Sequence, residues 1–400
     1  METELSSIVL LVGIVIIISI LSKELLGRIG LPPMAGYIVI GIGIRALDSH
    51  LHLLGEQGHG IFEFLADVGV ITLLFHIGLE SKVHKLLEQL RLATFIGLVS
   101  IAFSAVLGFA VAYFFLHLSL LTSLIIACAL TATSVGIPAG VWEETRAIKS
   151  QQGQLFLDVA ELDDIVGVIL MALLFSVAPL LARQTGGSIG LLILKNSALF
   201  AAKFIAFGLC CVVFARYAEK PITGFFQRLE KAPELTLTVA AMGFAIAALA
   251  GLIGFSVAIG AFFAGLMFSR DPASIKSRTA FNVIYDLFSP FFFIGIGLST
   301  YLETIGPALV PAAALILAAS AGKFIGATTP ALLFRDRRSS VLLGVGMIPR
   351  AEVALIITQR SLDLHGDAMP NRIFSAMVIT CLTTCIVAPI VLEKLIRRWL

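Results

Sequence analysis

Long apolar runs separated by short polar interruptions divide the chain almost from end to end. A helix needs roughly 20 apolar residues to cross a bilayer. Read in that unit, the sequence predicts about thirteen membrane helices, near residues 5–22, 31–47, 61–79, 92–116, 119–141, 154–181, 190–215, 234–250, 254–269, 282–300, 306–334, 339–359 and 371–396. The loops between them leave no room for a soluble domain. Glu2 and Glu4, rather than basic residues, precede the first run, and no A-x-A site follows it. It therefore reads as a retained helix and not as a signal peptide. Composition agrees with this all-α polytopic class: 58% of residues are hydrophobic, 14% are charged and the mean hydropathy is +1.00. A soluble chain carries about 25% charged residues.

Charge sidedness orients the helices, because Lys and Arg collect in cytoplasmic loops. With the N-terminus outside, twenty of the 28 basic residues fall in inner loops and the C-terminal tail, and five (Arg45, Arg183, Lys195, Arg360, Arg372) fall outside. The expected topology is N-out and C-in across the cell (inner) membrane. The net charge of +2 gives no reason to expect a nucleic-acid partner.

Neither cysteines nor histidines suggest a metal centre. Cys128, Cys210, Cys211, Cys381 and Cys385 all fall in predicted helices without zinc or disulfide spacing, and read as packing residues. His50, His52 and His59 share the predicted second loop, a weak metal pattern better explained as solvated surface. Only His76 falls inside a predicted helix, in LLFHIGLE, where a packing role is the ordinary reading.

Three charges inside apolar segments are harder to dismiss. Asp163 and Asp164 stand side by side in QLFLDVAELDDIVGVILMALLFSVAPLL. A charge at mid-helix costs roughly 2.5–3.5 kcal/mol on insertion scales, so such residues mark ion or proton paths by default. Lys323, in ALILAASAGKFIGATTPALLF, is at matching depth and makes the natural partner for those carboxylates. Lys203, by contrast, is close enough to a helix end to snorkel.

The chain also repeats itself. Gly30, Gly36 and Gly41 of the second helix recur in register as Gly254, Gly260 and Gly265 of the ninth, and Phe75–Leu79 of the third corresponds to Phe293–Leu298 of the tenth. An offset of seven helices is odd, so the halves cross the membrane in opposite directions, the inverted-repeat plan of secondary transporters. Repeat one covers about 5–181, a linking helix about 190–215 and repeat two about 234–396. The same offset pairs the fifth helix with the twelfth. Both carry Gly and Pro at mid-depth, in Thr131–Pro138 and Gly344–Arg350. Each should open there, and free backbone at that depth is tolerated only where it lines a cavity. Glu352 and Arg350 then serve as charge compensation for the second break.

These motifs together resemble the monovalent cation:proton antiporters, specifically the bacterial sodium/proton exchangers of the NapA type and the related Kef-like transporters. The resemblance spans the chain and rests on Leu73–Glu80, Thr131–Gly136, Asp163-Asp164 and Ile348–Ile357. It implies a homodimer whose protomers have a dimerisation domain and a six-helix core domain, with the two broken helices crossing beside the aspartates. Asp164 matches the family's cation-binding carboxylate, Asp163 the one marking electrogenic members, and Lys323 the lysine that pairs with it. Thr131, Thr133 and Ser134 match the unwound segment lining the ion. Kef-like members usually have Gln-Asp and continue into a nucleotide-binding domain. This sequence has Asp-Asp and ends at Leu400, so no nucleotide-binding regulatory domain is expected. His76 also departs from the apolar or aromatic residue expected there, which opens the question of an altered pH response.

The resulting expectation is a transporter and not an enzyme, with no cofactor. Na⁺ (or Li⁺) and protons compete for Asp163 and Asp164 while the core domain alternates its access. K⁺/H⁺ exchange and sodium-coupled uptake of an organic anion are the alternatives. An intramembrane aspartyl protease is disfavoured, since adjacent helical residues point about 100° apart.

Overall fold

Polar interruptions in the sequence mark helix ends faithfully, but several helices run past their apolar cores. The computed structural model describes residues 2–51, 54–81, 90–182, 189–218, 221, 235–269, 272–364 and 368–400. Among the described residues there are fifteen α-helices and no strand. They are α1 (Glu2–Arg28), α2 (Pro33–Leu51), α3 (Gly55–Glu80), α4 (Leu90–Ala110), α5 (Leu120–Ala129), α6 (Gly136–Glu144), α7 (Gln151–Ala182) and α8 (Ile189–Val213). The chain continues through α9 (Leu235–Leu252), α10 (Val257–Phe268), α11 (Pro272–Leu298), α12 (Leu302–Ala331), α13 (Arg337–Gly346), α14 (Glu352–Arg360) and α15 (Asn371–Trp399). Each apolar segment holds one helix, except 119–141 and 339–359, which hold α5 with α6 and α13 with α14. Among the described residues, seven helices are long and apolar enough to cross a membrane.

Because α2 extends to Leu51 and α3 begins at Gly55, His50 and His59 lie on helices and not in a loop. His59 Nε2 is 3.0 Å from Asp48 Oδ2, and the other oxygen of Asp48 accepts the Leu54 amide at 2.8 Å, so these side chains fasten the α2–α3 turn. His52 lies outside the described residues, as do Lys82, Lys85, Arg183, Lys220, Arg228, Lys231 and Arg270 of the basic-residue pattern. Cys128, Cys211, Cys381 and Cys385 are buried as expected. Cys210 is exposed, because α8 turns that position outward. Lys203 on α8 is also exposed.

One compact unit comprises residues 1–84 and 195–299. Its helices meet at paired glycines. A Cβ placed on Gly41 of α2 would lie 2.1 Å from Ile294 O of α11, and one on Gly78 of α3 would lie 2.2 Å from Phe262 O of α10. Reciprocally, Gly297 meets the Ile38 carbonyl and Gly265 the Phe75 carbonyl, each at 2.2 Å. Such contacts allow only glycine, and small residues are how helices pack closely where lipid provides no hydrophobic drive. Exchanging α2 with α10 and α3 with α11 maps one contact onto the other, which is the relation the internal repeat predicts. The turns before α2 and α10 match as well. Gly30 and Gly254 both have positive φ (70° and 95°), and each is followed by a 6→1 bond, Leu31 N to Leu26 O and Phe255 N to Ala250 O.

His76 belongs to this unit. Its ring stacks on Tyr285 with centroids 4.4 Å apart, and Nε2 is 3.1 Å from Asn282 Oδ1, so it is a packed and bonded histidine.

The other compact unit comprises 85–194 and 300–400 and contains both broken helices. Its core cluster includes Trp142, Phe156, Val159, Leu343 and Met347, which pack α6 and α13 onto α7. Phe156 fills the space left by Gly346, where a Cβ would sit 3.0 Å from its ring. Both first half-helices are N-capped from side chains. Ser119 Oγ accepts the Thr122 amide at 3.1 Å, and Asp336 Oδ2 accepts the Arg338 and Ser339 amides at 3.0 and 3.2 Å. The Ser339 hydroxyl and these amides hold the Asp336 carboxyl below its usual range.

Candidate functional site

All the intramembrane charges singled out from sequence, apart from Lys203, lie in the second unit. There two extended segments replace helix. Residues 130–135 separate α5 from α6, and residues 347–351 separate α13 from α14. Both breaks are shorter and differently placed than Gly and Pro alone suggested. Gly136 and Pro138 fall in the first turn of α6, where proline's missing amide costs nothing, and Gly344 and Gly346 end α13. Opening a helix strands carbonyls at one end and amides at the other. The ends of α5 and α13 thus present partial negative charge, and the starts of α6 and α14 partial positive charge.

The two breaks touch. The Ser134 amide donates to Pro349 O at 2.9 Å, and Thr133 Oγ1 donates to Met347 O at 3.3 Å. Arg350, fully buried, gathers the stranded carbonyls. Its Nη1 donates to Ala132 O at 2.8 Å, Thr133 Oγ1 at 3.0 Å and Met347 O at 3.3 Å, and its Nη2 to Ala319 O at 3.5 Å. One guanidinium therefore compensates both C-terminal ends and ties them to α12. Cys385 Sγ donates to Arg350 O and Thr384 Oγ1 accepts its amide, so α15 fixes the second break from behind. Glu352 opens α14 and occupies the favourable first turn.

α7 passes beside this crossing. A Cβ on Gly167, one turn beyond Asp163, would be 3.4 Å from Ala132 Cβ and 3.9 Å from Val353 Cγ1, which puts that face of α7 against both breaks. Asp163 and Lys323 are wholly buried and form a salt bridge, Lys323 Nζ donating to Asp163 Oδ1. Asp163 Oδ2 has no hydrogen-bond partner. Asp164 is 9% exposed and is not part of the lysine pair. Glu161 stands one helical turn before it on α7. Glu161 escaped notice in the sequence because it stands nearer the polar end of its helix. Its spacing of three residues from Asp164, one helical turn, was the available signal.

Thr131, Thr133 and Ser134 are all buried in the first break. Thr131 Oγ1 donates to Cys128 O at 2.7 Å and Thr133 is held by Arg350 and Met347, whereas Ser134 Oγ has no partner. Among the described residues no group of three or more His, Cys, Asp and Glu forms a metal-binding cluster. What the arrangement offers is a balanced set of buried charges, two carboxylates against one ammonium and one guanidinium, beside free backbone polar groups. Only one carboxylate is committed to a cation.

The family model described as "Sodium/hydrogen exchanger, transmembrane" matches residues 13–398. The high-affinity Na⁺/H⁺ antiporter NhaS3 of Synechocystis sp. is 27% identical over 97% of this chain and 90% of its own length. A Na⁺/H⁺ antiporter of Enterococcus hirae is also 27% identical, over 96% of this chain and 97% of its own. Among solved structures, the sodium proton antiporter MjNhaP1 of Methanocaldococcus jannaschii superposes with a TM-score of 0.74 over 99% of each chain at 13% identity, a likeness of fold.

Proposed function

Because the chain belongs to the sodium/hydrogen exchanger family, we infer that it is a secondary active transporter exchanging Na⁺ (or Li⁺) for H⁺ across the cell membrane. The observation that carries this reading is the buried set of Asp163, Asp164, Lys323 and Arg350 beside two touching helix breaks, a set that is neutral only when both carboxylates are ionised. A cation entering that set adds a charge in a medium where unbalanced charge costs several kcal/mol. Arg350 cannot give up a proton, so the proton must come from Lys323 or from a carboxyl group.

The exchange runs as a competition. Without cation, Asp164 holds a proton and Asp163 holds Lys323. Na⁺ enters at Asp164 and Asp163, takes further oxygens from the unwound segment, and displaces both the Asp164 proton and the lysine, which leaves as a neutral amine. Two protons traded for one cation make the cycle electrogenic. Arg350 and Glu352 keep the breaks open and charge-compensated throughout. No cofactor enters this cycle. Radioactive Na⁺ uptake into proteoliposomes, driven by an outward proton gradient, tests the reading; no uptake above that of empty vesicles would contradict it.

Different members of the first break have different duties. Ser134→Ala removes the one free hydroxyl and should raise the half-saturating Na⁺ concentration several-fold with little change in thermal midpoint. Thr133→Leu removes an acceptor from buried Arg350, a type of bond worth about 1.5–3 kcal/mol, and should lower the midpoint clearly. Paired melting and transport curves distinguish the two, and unchanged Na⁺ affinity in Ser134→Ala would remove that residue from the site.

The working assembly is a homodimer in the lipid bilayer, as the resemblance implies, and a monomeric native mass would contradict it. Its N-terminus is outside and its C-terminus cytoplasmic, on the strength of the basic-residue asymmetry. A reporter fused after Leu400 should be active only on the cytoplasmic side, and activity only outside would reverse the topology.

A further inference from the structure

One peptide group of the second break is bonded on both sides. Its carbonyl, on Pro349, accepts the Ser134 amide at 2.9 Å, and its own amide, on Arg350, donates to Thr384 Oγ1 of α15 at 3.3 Å. A peptide group is one rigid plane, so neither bond can turn without the other. A hydroxyl on α15 therefore sets the acceptor of an amide in the first break. The next peptide group is held as well, since Cys385 Sγ donates to Arg350 O at 2.9 Å.

Thr384 has the right valences for this. Its hydroxyl proton stays within α15, shared between Thr380 O at 2.9 Å and Cys381 O at 3.1 Å, which leaves an oxygen lone pair for the Arg350 amide. Thr384 and Cys385 are 2% and 0% exposed, so a bond lost here has no solvent to replace it. What depends on Arg350 is residues 132–134 of the first break. Its guanidinium donates to Ala132 O and Thr133 Oγ1, and the preceding carbonyl takes the Ser134 amide. Of the three hydroxyls in that break, those of Thr131 and Thr133 are bonded, whereas Ser134 Oγ has no partner and is free to meet a cation.

We propose that Thr384 and Cys385 are positioning residues of the exchanger: from α15, without touching the cation, they fix the two peptide groups of Arg350 and thereby set the affinity of the ion site for Na⁺. The inference rests on the exchanger reading. Without the Thr384 oxygen the Pro349–Arg350 plane is free to turn, because its amide has lost its acceptor. The turn carries the Pro349 carbonyl away from the Ser134 amide. It loosens the first break where Ala132 packs on Gly167 of α7, one turn from Asp163. Restoring that arrangement then becomes part of binding Na⁺, which weakens affinity and leaves the rate of a loaded transporter nearly unchanged.

The test measures sodium-driven proton flux against Na⁺ concentration in proteoliposomes, normalised to folded protein. Thr384→Val keeps the branched shape and removes the acceptor. Its half-saturating Na⁺ concentration should rise about tenfold, as for one lost hydrogen bond, with the maximal rate within about twofold of wild type. Thr384→Ser keeps the hydroxyl and should bring the half-saturating concentration back to within about twofold. Because Thr384 acts through Ser134, adding Ser134→Ala should change little: the double variant should match its more affected single to within about twofold, whereas independent effects multiply. Cys385→Ala should give a smaller rise, since a thiol is a weak donor, and Cys385→Ser should reverse it. Wild-type Na⁺ affinity in folded Thr384→Val overturns the proposal, or in Cys385→Ala if the valine variant does not fold. Equal impairment in Thr384→Ser overturns it too, since that marks lost packing, and multiplying effects in the double variant overturn the route through Ser134. A wild type in which Na⁺ moves no protons would instead overturn the exchanger reading beneath it.

Discussion

Exchange is lost when Asp164 becomes asparagine: sodium-driven proton flux should fall by at least about a hundredfold, to the level of empty vesicles. Asp164 is the buried carboxylate without the lysine partner, beside the crossing of the two breaks. In the proposed cycle it carries negative charge when the cation is bound and a proton when the cation is absent. Asparagine has nearly the same shape but can do neither, so the variant should fold, melt close to wild type and bind no Na⁺. Flux at the wild-type rate in a well-folded Asp164→Asn protein would place the site elsewhere.

Breaking the Asp163–Lys323 pair should have the other large effect, and on two observables. Both side chains are 0% exposed. Removing one member of such a pair strands the other, which typically costs roughly 3–5 kcal/mol, whereas replacing both by groups of similar volume is often neutral or better. Asp163→Asn and Lys323→Met should therefore each lower the thermal midpoint, and the double variant should recover most of the loss. Transport should not recover with it. With Asp164 alone carrying protons, the double variant should exchange slowly and without response to membrane potential. A double variant as unstable as either single one would show that the pair is not the energetic unit, and retained voltage dependence would show that Lys323 does not carry the second proton.

Legibility differed by residue for physical reasons. Asp163, Asp164 and Lys323 stood out because a charge in an apolar run breaks the rule that makes the run a membrane helix. The repeat was readable because close helix crossings admit only glycine, so Gly41, Gly78, Gly265 and Gly297 carry the pattern in their identity. The breaks were readable as regions but not in extent. Pro138 looked like a breaker and instead starts a half-helix, a distinction set by whether its neighbours already lack helical bonds. Arg350 was visible as a charge, but its partners are the backbone carbonyls of Ala132 and Ala319, which sequence does not mark. The histidine loop was misplaced because polar helix ends extend beyond the apolar stretch that reveals them.

The central claim, that Na⁺ and H⁺ compete for one buried carboxylate site, is tested most directly by imposing a proton gradient across proteoliposomes of the wild-type protein. Na⁺, Li⁺, K⁺ and an organic anion are then added in turn while the internal pH is followed. The account predicts that Na⁺ and Li⁺ each collapse the gradient, with no organic anion present and with K⁺ less effective. A gradient untouched by Na⁺, or collapsed by Na⁺ only when an organic anion accompanies it, would contradict it.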